Sequence, residues 1–208
     1  MLILASRSKA RKKLMEELGI PFKTVSSDFE ENMKIRQNPK KLAIYLAVGK
    51  AAFLATRHPS STIIGADTFI TIGRTKIGKP ATHQEAEKII GMMSGKTIQV
   101  HSGVAVVRTD KNGRITKKLT AHVVTKLKIK KMSREEIHAL AHHDEALQIS
   151  GAFSIEGEGG KMVEKIDGDY QNVIGLPVFK VKGMLKKLEV RFNERSSQSS
   201  LDRPFQKS

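Results

Sequence analysis

Cysteine and tryptophan are both absent from the 208 residues of this chain. The first absence excludes disulfides, zinc–thiolate sites and thiol nucleophiles together, and it suits a reducing compartment. Aromatic residues are scarce at 5%. No apolar run approaches the roughly 18 residues of a membrane span. The opening MLILA comes before its basic residues, the reverse of a secretory leader. These features predict a soluble, cytoplasmic protein with no membrane partner. Acids are also few: 21 Asp and Glu face 37 Lys and Arg, for a formal net charge of +16. That sign asks for an anionic partner, and charge alone leaves nucleotide phosphates, nucleic acid or an acidic surface open.

What is present reads as one α/β domain with mixed α+β character. Hydrophobic residues at 39% and charged residues at 28% give a globular balance, and the length can bury a sizeable core. LILA at 2–5 reads as a buried strand, and residues 6–20 as a helix closed near Gly19. Such a strand-to-helix junction is where α/β proteins often hold anions. Asn38 as N-cap and Pro39 at the first helical position open a second helix to about residue 58. On it Leu42, Leu46 and Lys50 share one face, so a lysine emerges from an apolar stripe. Residues 62–72, a turn at Gly73 and 75–80 read as a hairpin. Thr82 and Glu85 have capping-box spacing for a third helix through Met93. Strands follow over 97–107 and, after a turn at 111–113, through 131. Lys126, Lys128 and Lys130 alternate there with Leu127 and Ile129, giving one wet face. Ser133 and Glu136 open a fourth helix, running roughly to Leu147, and a last helix follows Pro177. The domain is expected over 1–188, with 189–208 a polar, poorly ordered tail.

Several motifs dissolve on inspection. GRTKIGK at 73–79 fits the first seven positions of a P-loop, but Pro80 stands where the magnesium-holding Ser or Thr belongs and a hairpin occupies the place of the helix. GEGG at 157–160 has Met162 where a dinucleotide fingerprint needs its last glycine. His138 and His142, spaced i, i+4 with His143 and Asp144 beside them, suggest a metal clip; with no HExxH pattern and no further ligand visible, they read as exposed helix residues. Between Arg108 and Arg134 there are ten basic residues and one acid. Without interleaved aromatics this is a solvated strand face rather than a nucleic-acid platform.

The stronger candidates share a chemical theme. Asp67 is a carboxylate inside the apolar strand 62–72, and burying it unpaired costs at least the ~2–7 kcal/mol of a merely polar group. It must therefore be paired, metal-bound or at the mouth of a site. Ser6, Ser8, Arg11 and Lys12 lie where the first strand feeds its helix. Lys50 and Lys79 add cations, and Glu31 and Glu156 add carboxylates. Hydroxyls and cations together suit a polyphosphate.

The run LASRSKARKKL at 4–14 resembles the LASxSPxRRxL opening of the Maf family of nucleoside triphosphate pyrophosphatases. Ser8, Arg11 and Lys12 fall on its motif positions. Further blocks follow in order over 1–188: Glu31 in the acidic segment, AVGKA with Lys50, GADT with Asp67 and Thr68, GKP with Lys79, MSGKTIQVHSGVAV, GAFSIEGEGG with Glu156 and GDYQNVIGLP. The resemblance implies an ITPase-like fold, an elongated, mixed and twisted sheet flanked by helices. It implies hydrolysis of a (d)NTP, or of a modified nucleotide, between the α and β phosphates to a monophosphate and pyrophosphate. It also implies a homodimer and a divalent cation, Mg²⁺ or Mn²⁺. Asp67 would be the general base or a metal-held carboxylate with Glu31 as a second metal ligand. Ser6, Ser8, Arg11, Lys12, Glu31, Lys50, Thr68, Lys79 and Glu156 would bind substrate, the cations offsetting its charge.

The chain departs from the family pattern at Lys9, Ala10 and Lys12; lysine keeps the charge but loses the bidentate fork. Glu156 stands where the dTTP and UTP branch carries glutamine, whereas the 7-methyl-GTP branch has glutamate there. Ala66, Asp67 and Thr68 nevertheless follow the dTTP branch, so the preferred base stays open. Two other readings compete with the enzyme: a basic nucleic-acid-binding protein, and a regulatory protein that binds nucleotide without turning it over.

Overall fold

The computed structural model describes residues 1–30, 38–143 and 145–192. Among these residues seven strands form one mixed sheet: β1 (Leu2–Ala5), β2 (Lys23–Val25), β3 (Thr62–Ile72), β4 (Thr75–Ile77), β5 (Thr97–Thr109), β6 (Ile115–Ile129) and β7 (Val163–Asp167). Their order is β2-β1-β3-β5-β6-β7, with β4 attached to β3 outside that path. The six helices among the described residues are α1 (Lys9–Glu16), α2 (Pro39–Ala55), α3 (His83–Met93), α4 (Arg134–Ala141), α5 (Tyr170–Ile174) and α6 (Val178–Lys187). No helix among the described residues is long and apolar enough to cross a membrane.

The expected mixed sheet with flanking helices is what the chain forms. Strand alternation sorts its two faces. Ile3, Ala5, Ile63, Ala105 and Val107 pack under Ala47, Ala51 and Leu54 of α2. On the other face, Leu4, Ile64, Val104 and Val106 pack against Leu14, Met15, Val181 and Leu185 of α1 and α6. Farther along that face, Ile70, Ile98, Val100, Leu127 and Ile129 pack against Ile89 and Ile90 of α3. Val190 and Phe192 rest on the α1–α6 cluster, so apolar contacts continue past Leu188.

The caps behave largely as the sequence suggests. Asn38 caps α2 through Lys41 N–H, with Pro39 in its first turn, and Ser133 and Glu136 complete a reciprocal capping box on α4. Thr82 accepts from Glu85 N–H, but the Glu85 carboxylate takes the Ala81 N–H at 2.7 Å rather than closing the box. Helix α4 ends at Ala141, not near Leu147. After Ala141 the apolar spacing gives way to His142 and His143, and the chain continues as 3-10 turns at Ala146–Gln148 and Ser150–Ala152. Lys126 and Lys128 point to solvent while Leu127 and Ile129 are buried, as the alternation requires.

One topological detail sets the surroundings of Asp67. Parallel pairing of β1 with β3 ends at Ala5↔Gly65, and antiparallel pairing of β4 with β3 ends at Ile70↔Ile77. Between them Ala66, Asp67, Thr68 and Phe69 have β5 on one side and no paired strand, among the described residues, on the other. The long strand changes partner there and leaves a gap in the sheet.

Candidate active site

Asp67 lies in that gap and is 5% exposed. Its Oδ1 accepts from Lys50 Nζ at 2.6 Å. Lys50 is buried at 8%, so the lysine on the apolar face of α2 meets the carboxylate in the apolar strand. Each explains the other's burial. A buried pair gains little over apolar packing, but removing one partner costs on the order of 3–5 kcal/mol, so the pair is sustained as a unit.

Two glycines let α2 come close enough to make it. A Cβ on Gly65 of β3 would collide with the Ala47 carbonyl, and one on Gly103 of β5 with the Ala43 carbonyl. Gly103 is the direct cross-strand partner of Asp67. The helix backbone therefore lies on the sheet where side chains are missing, and the carboxylate sits between them.

The opposite face carries a second polar group. Thr68 Oγ1 is 2.8 Å from Ser102 Oγ, its cross-strand neighbour, and donates to the Gly175 carbonyl at 3.1 Å. Arg11 reaches the same point: Nε donates to Gly175 O at 2.9 Å and Nη2 to Thr68 Oγ1 at 3.2 Å. Beside them Asn172 is wholly buried and its Nδ2 donates to Val100 O and Thr125 Oγ1. Among the described residues its Oδ1 has no hydrogen-bond partner. This belt separates the α1–α6 cluster from the α3 cluster, which leaves a polar strip between two apolar lobes.

The remaining predicted residues fall into place less uniformly. Ser8 caps α1 by accepting from Arg11 N–H, and Ser6 Oγ accepts from Ser8 N–H, so both hydroxyls shape the loop after β1. Lys12 is exposed on α1 and pairs along its own helix with Glu16 at 3.8 Å. Lys79 is exposed just beyond β4, and the preceding Gly78 carbonyl holds Gly151 N–H at 3.0 Å. That contact ties its segment to the glycine-rich one carrying Glu156. Glu156 is 3.6 Å from Lys13. Burial and then the charge of Glu156 raise the Tyr170 phenol above its ordinary range, with Lys13 partly opposing them. Glu31 and Asp144 lie outside the described residues.

The false P-loop is a hairpin: Gly73 has φ of 57° in the turn, Thr75–Ile77 form β4, and the next helix starts at His83. Sequence reasoning did not single out Ser102, Asn172, Gly175 or Lys13. Ser102, Asn172 and Gly175 stand within the family-like segments 93–106 and 168–177, but only cross-strand register reveals that Ser102 faces Thr68.

The α2 side also holds a histidine pair. His101 Nε2 is 3.0 Å from Thr71 Oγ1 and its Nδ1 is 3.1 Å from His122 Nε2, while its ring stacks on Phe69. Burial, reinforced by His122, lowers His101 to about 4. Burial and then Lys40 lower His122 as well.

A curated dTTP/UTP pyrophosphatase of Symbiobacterium thermophilum is 36% identical over 184 residues, covering 88% of this chain and 92% of the relative. One from Bacillus cereus is 34% identical over 189 residues, covering 91% and 96%. Among solved structures, a HAM1 protein from Coxiella burnetii has a TM-score of 0.51 at 16% identity, covering 89% of this chain and 98% of that one. The Staphylococcus aureus Ham1 protein also gives 0.51, at 11% identity, covering 90% and 98%. These structures show the fold alone, the ITPase-like type expected. The family model for Maf-like proteins matches residues 1–188. With identity of this order to curated relatives over nearly their full length, the chain belongs to the Maf family.

Proposed function

We propose that this chain is a nucleoside triphosphate pyrophosphatase, hydrolysing its substrate to a monophosphate and pyrophosphate, with dTTP and UTP as the first substrates to test. The relatives' names support the reaction class. The observation that carries the proposal is the buried Lys50–Asp67 pair, set where β3 has lost β1 and not yet met β4. A carboxylate held there by one oxygen can use the other on an attacking water.

Lys50 fixes the Asp67 carboxylate through a charge-assisted bond, and Asp67 takes the proton of the attacking water. A bond forms from that oxygen to the α phosphorus, the bond to the bridging oxygen breaks, and pyrophosphate leaves. Arg11 and Lys79 bear on the phosphates, stabilising charge that spreads over the transferring group. Arg11 is preset by Thr68 and the Gly175 carbonyl. Ser6 and Ser8 shape the loop opposite, and Lys12 adds positive potential from α1. Glu156, next to Lys13 and Tyr170, faces the nucleoside; an ionised glutamate only accepts hydrogen bonds, which biases the base chosen.

The residues suit a hard divalent cation. Mg²⁺ binds through one or two carboxylates plus substrate phosphates, and Asp67 at the gap is such a carboxylate, with Glu31 proposed as the second. Mg²⁺ or Mn²⁺ would there neutralise phosphate charge and polarise the reacting group. By analogy with the family we assign residues 1–188 to the catalytic unit and expect a cytoplasmic homodimer.

Pyrophosphate release should be measured across standard and methylated triphosphates with Mg²⁺ and with Mn²⁺. Asp67→Asn should reduce kcat by about 10²–10⁴-fold, the range for losing a positioned base, while circular dichroism shows the fold retained. Unchanged turnover in a folded Asp67→Asn protein would refute the role of Asp67. Turnover of no triphosphate, with salt-sensitive binding of DNA or RNA, would instead favour the nucleic-acid reading.

A further inference from the structure

Away from this site, the packing of α3 against α4 assembles a second chemical group. Glu87 and His83 are one turn apart on α3, spaced i, i+4, and so share a face. His138 and His142 have the same spacing at the end of α4, with His142 as its C-cap. The two pairs meet. His138 Nδ1 is 2.6 Å from Glu87 Oε1, and His142 Nδ1 is 3.6 Å from the same oxygen. The His138 and His142 rings lie 4.1 Å apart, and the His83 ring stacks on His142 at 4.8 Å.

We propose that Glu87, His138 and His142, with His83 beside them, form a transition-metal site that clips α4 to α3. One ligand atom each from Glu87, His138 and His142 lies within 4.8 Å of the other two, so small side-chain adjustments bring three donors around one ion. Two imidazoles and a carboxylate are the donor set of Zn²⁺ sites with an open fourth position. His83 is placed to approach that position.

The outer contacts are those that metal-binding imidazoles require. His83 Nδ1 lies 2.7 Å from the Ala141 carbonyl, and His142 Nδ1 lies 3.0 Å from the His138 carbonyl. A carbonyl only accepts, so each Nδ1 carries the proton and each Nε2 keeps a lone pair. Metal entry would replace the proton shared by His138 and Glu87, which leaves to solvent as the bonds to the ion form.

The site is distinct from the proposed Mg²⁺ or Mn²⁺ position in both place and donor type. Nitrogen donors select zinc, nickel or copper, whereas the oxygen donors near Asp67 select hard cations. Its consequence is structural, since α4 leads directly into the 3-10 turns before Glu156.

Zn²⁺ alone is the probe, added to full-length chain without an affinity tag and in excess Mg²⁺ to occupy oxygen sites. Calorimetry should detect one zinc per chain, and Co²⁺ in its place should give the visible bands of a four-coordinate ion. His138→Ala and His142→Ala should each weaken zinc binding by about 10–100-fold, as loss of a metal-site group does; Glu87→Gln, which keeps size, should weaken it too. Asp67→Asn should leave it unchanged. At zinc one hundred times its Kd, Tm should rise by about 5–10 °C, a rise absent from the histidine variants. No zinc bound in excess Mg²⁺, or binding undiminished in His138→Ala/His142→Ala, overturns the proposal. Because Mg²⁺-supported turnover is read separately, this result and the fate of the catalytic reading are independent.

Discussion

Asp67 and Thr68 are consecutive in β3 yet serve opposite faces of the sheet, Asp67 meeting Lys50 under α2 and Thr68 meeting Arg11 and Ser102 beneath α5. A ligand bound in the gap would therefore meet both faces across the open edge of one strand. Thr68→Val should remove the Arg11 Nη2 bond while leaving Arg11 Nε on the Gly175 carbonyl and the Lys50–Asp67 pair intact. Steady-state kinetics should show KM raised more than kcat is lowered, and Thr68→Val should cost less in an Arg11→Lys background than in the parent chain, because the Thr68–Arg11 bond is already lost there. Additive losses would separate Thr68 from Arg11.

Helix α2 makes its closest backbone approach to the sheet at Gly65 and Gly103, so small additions there carry a large cost. Gly103→Ala places a methyl group against the Ala43 carbonyl, and overpacking of this kind costs roughly 1–3 kcal/mol. Gly183 in α6 has open space at its Cβ position. Gly183→Ala should therefore stabilise by about 0.5–1 kcal/mol, the helical advantage of alanine. Thermal melts of the two variants should move in opposite directions. The Gly103→Ala protein should also lose activity beyond its loss of folded population, since the displaced helix carries Lys50.

The pair of buried His101 and half-buried His122 sets a pH dependence of stability. His101 titrates at about 4 in the fold against 6.5 when free. Between those values the unfolded chain binds the proton that the fold refuses. Stability is thus complete above about 6.5 and falls, at up to ~1.4 kcal/mol per pH unit, as pH drops toward 4. His122, itself lowered by burial and by Lys40, adds in the same direction. His101→Gln lacks this titration. Urea midpoints measured from pH 7.5 to 4.5 should decline less steeply for it than for the parent chain.

Glu156 carries the specificity question. Glu156→Gln restores a donor as well as an acceptor, and the position is exposed, so folding should be spared. The ranking of triphosphates by kcat/KM should shift toward dTTP and UTP. An unaltered ranking means that Glu156 does not face the base.

Much of the architecture follows from local rules. The caps at Asn38 and Ser133, the hairpin at Gly73 and the alternation of Lys126, Leu127 and Lys128 all depend on neighbours within a few residues, and a sequence displays such neighbours directly. Asp67 and Lys50 were legible for a related reason: each is a charge in an apolar pattern, and two such anomalies invite a pairing that the fold supplies. The Thr68–Ser102–Arg11–Gly175 belt was not legible. Serine and threonine are unremarkable in a strand, and their meeting depends on register between β3 and β5 and on a helix end more than a hundred residues away, as the Thr68–Gly175 bond shows. The Glu87–His138–His142 group was half visible, because helix spacing pairs the histidines but only helix packing brings Glu87. The early end of α4 had the opposite cause: the capping signal marks where a helix starts, and nothing as local marks where its apolar face runs out.

The change of partner along β3 also imposes an order of assembly. Strands β3, β5 and β6 are antiparallel neighbours in the sheet, and Lys50 and Asp67 are 17 residues apart. Strand β1 joins by parallel pairing of Leu2 with Thr62, across nearly a third of the chain. Closing so long a span is the slower event. A refolding molecule thus acquires its carboxylate–lysine pair before β1 delivers Arg11 to Thr68, and recovery of turnover is expected to trail recovery of secondary structure.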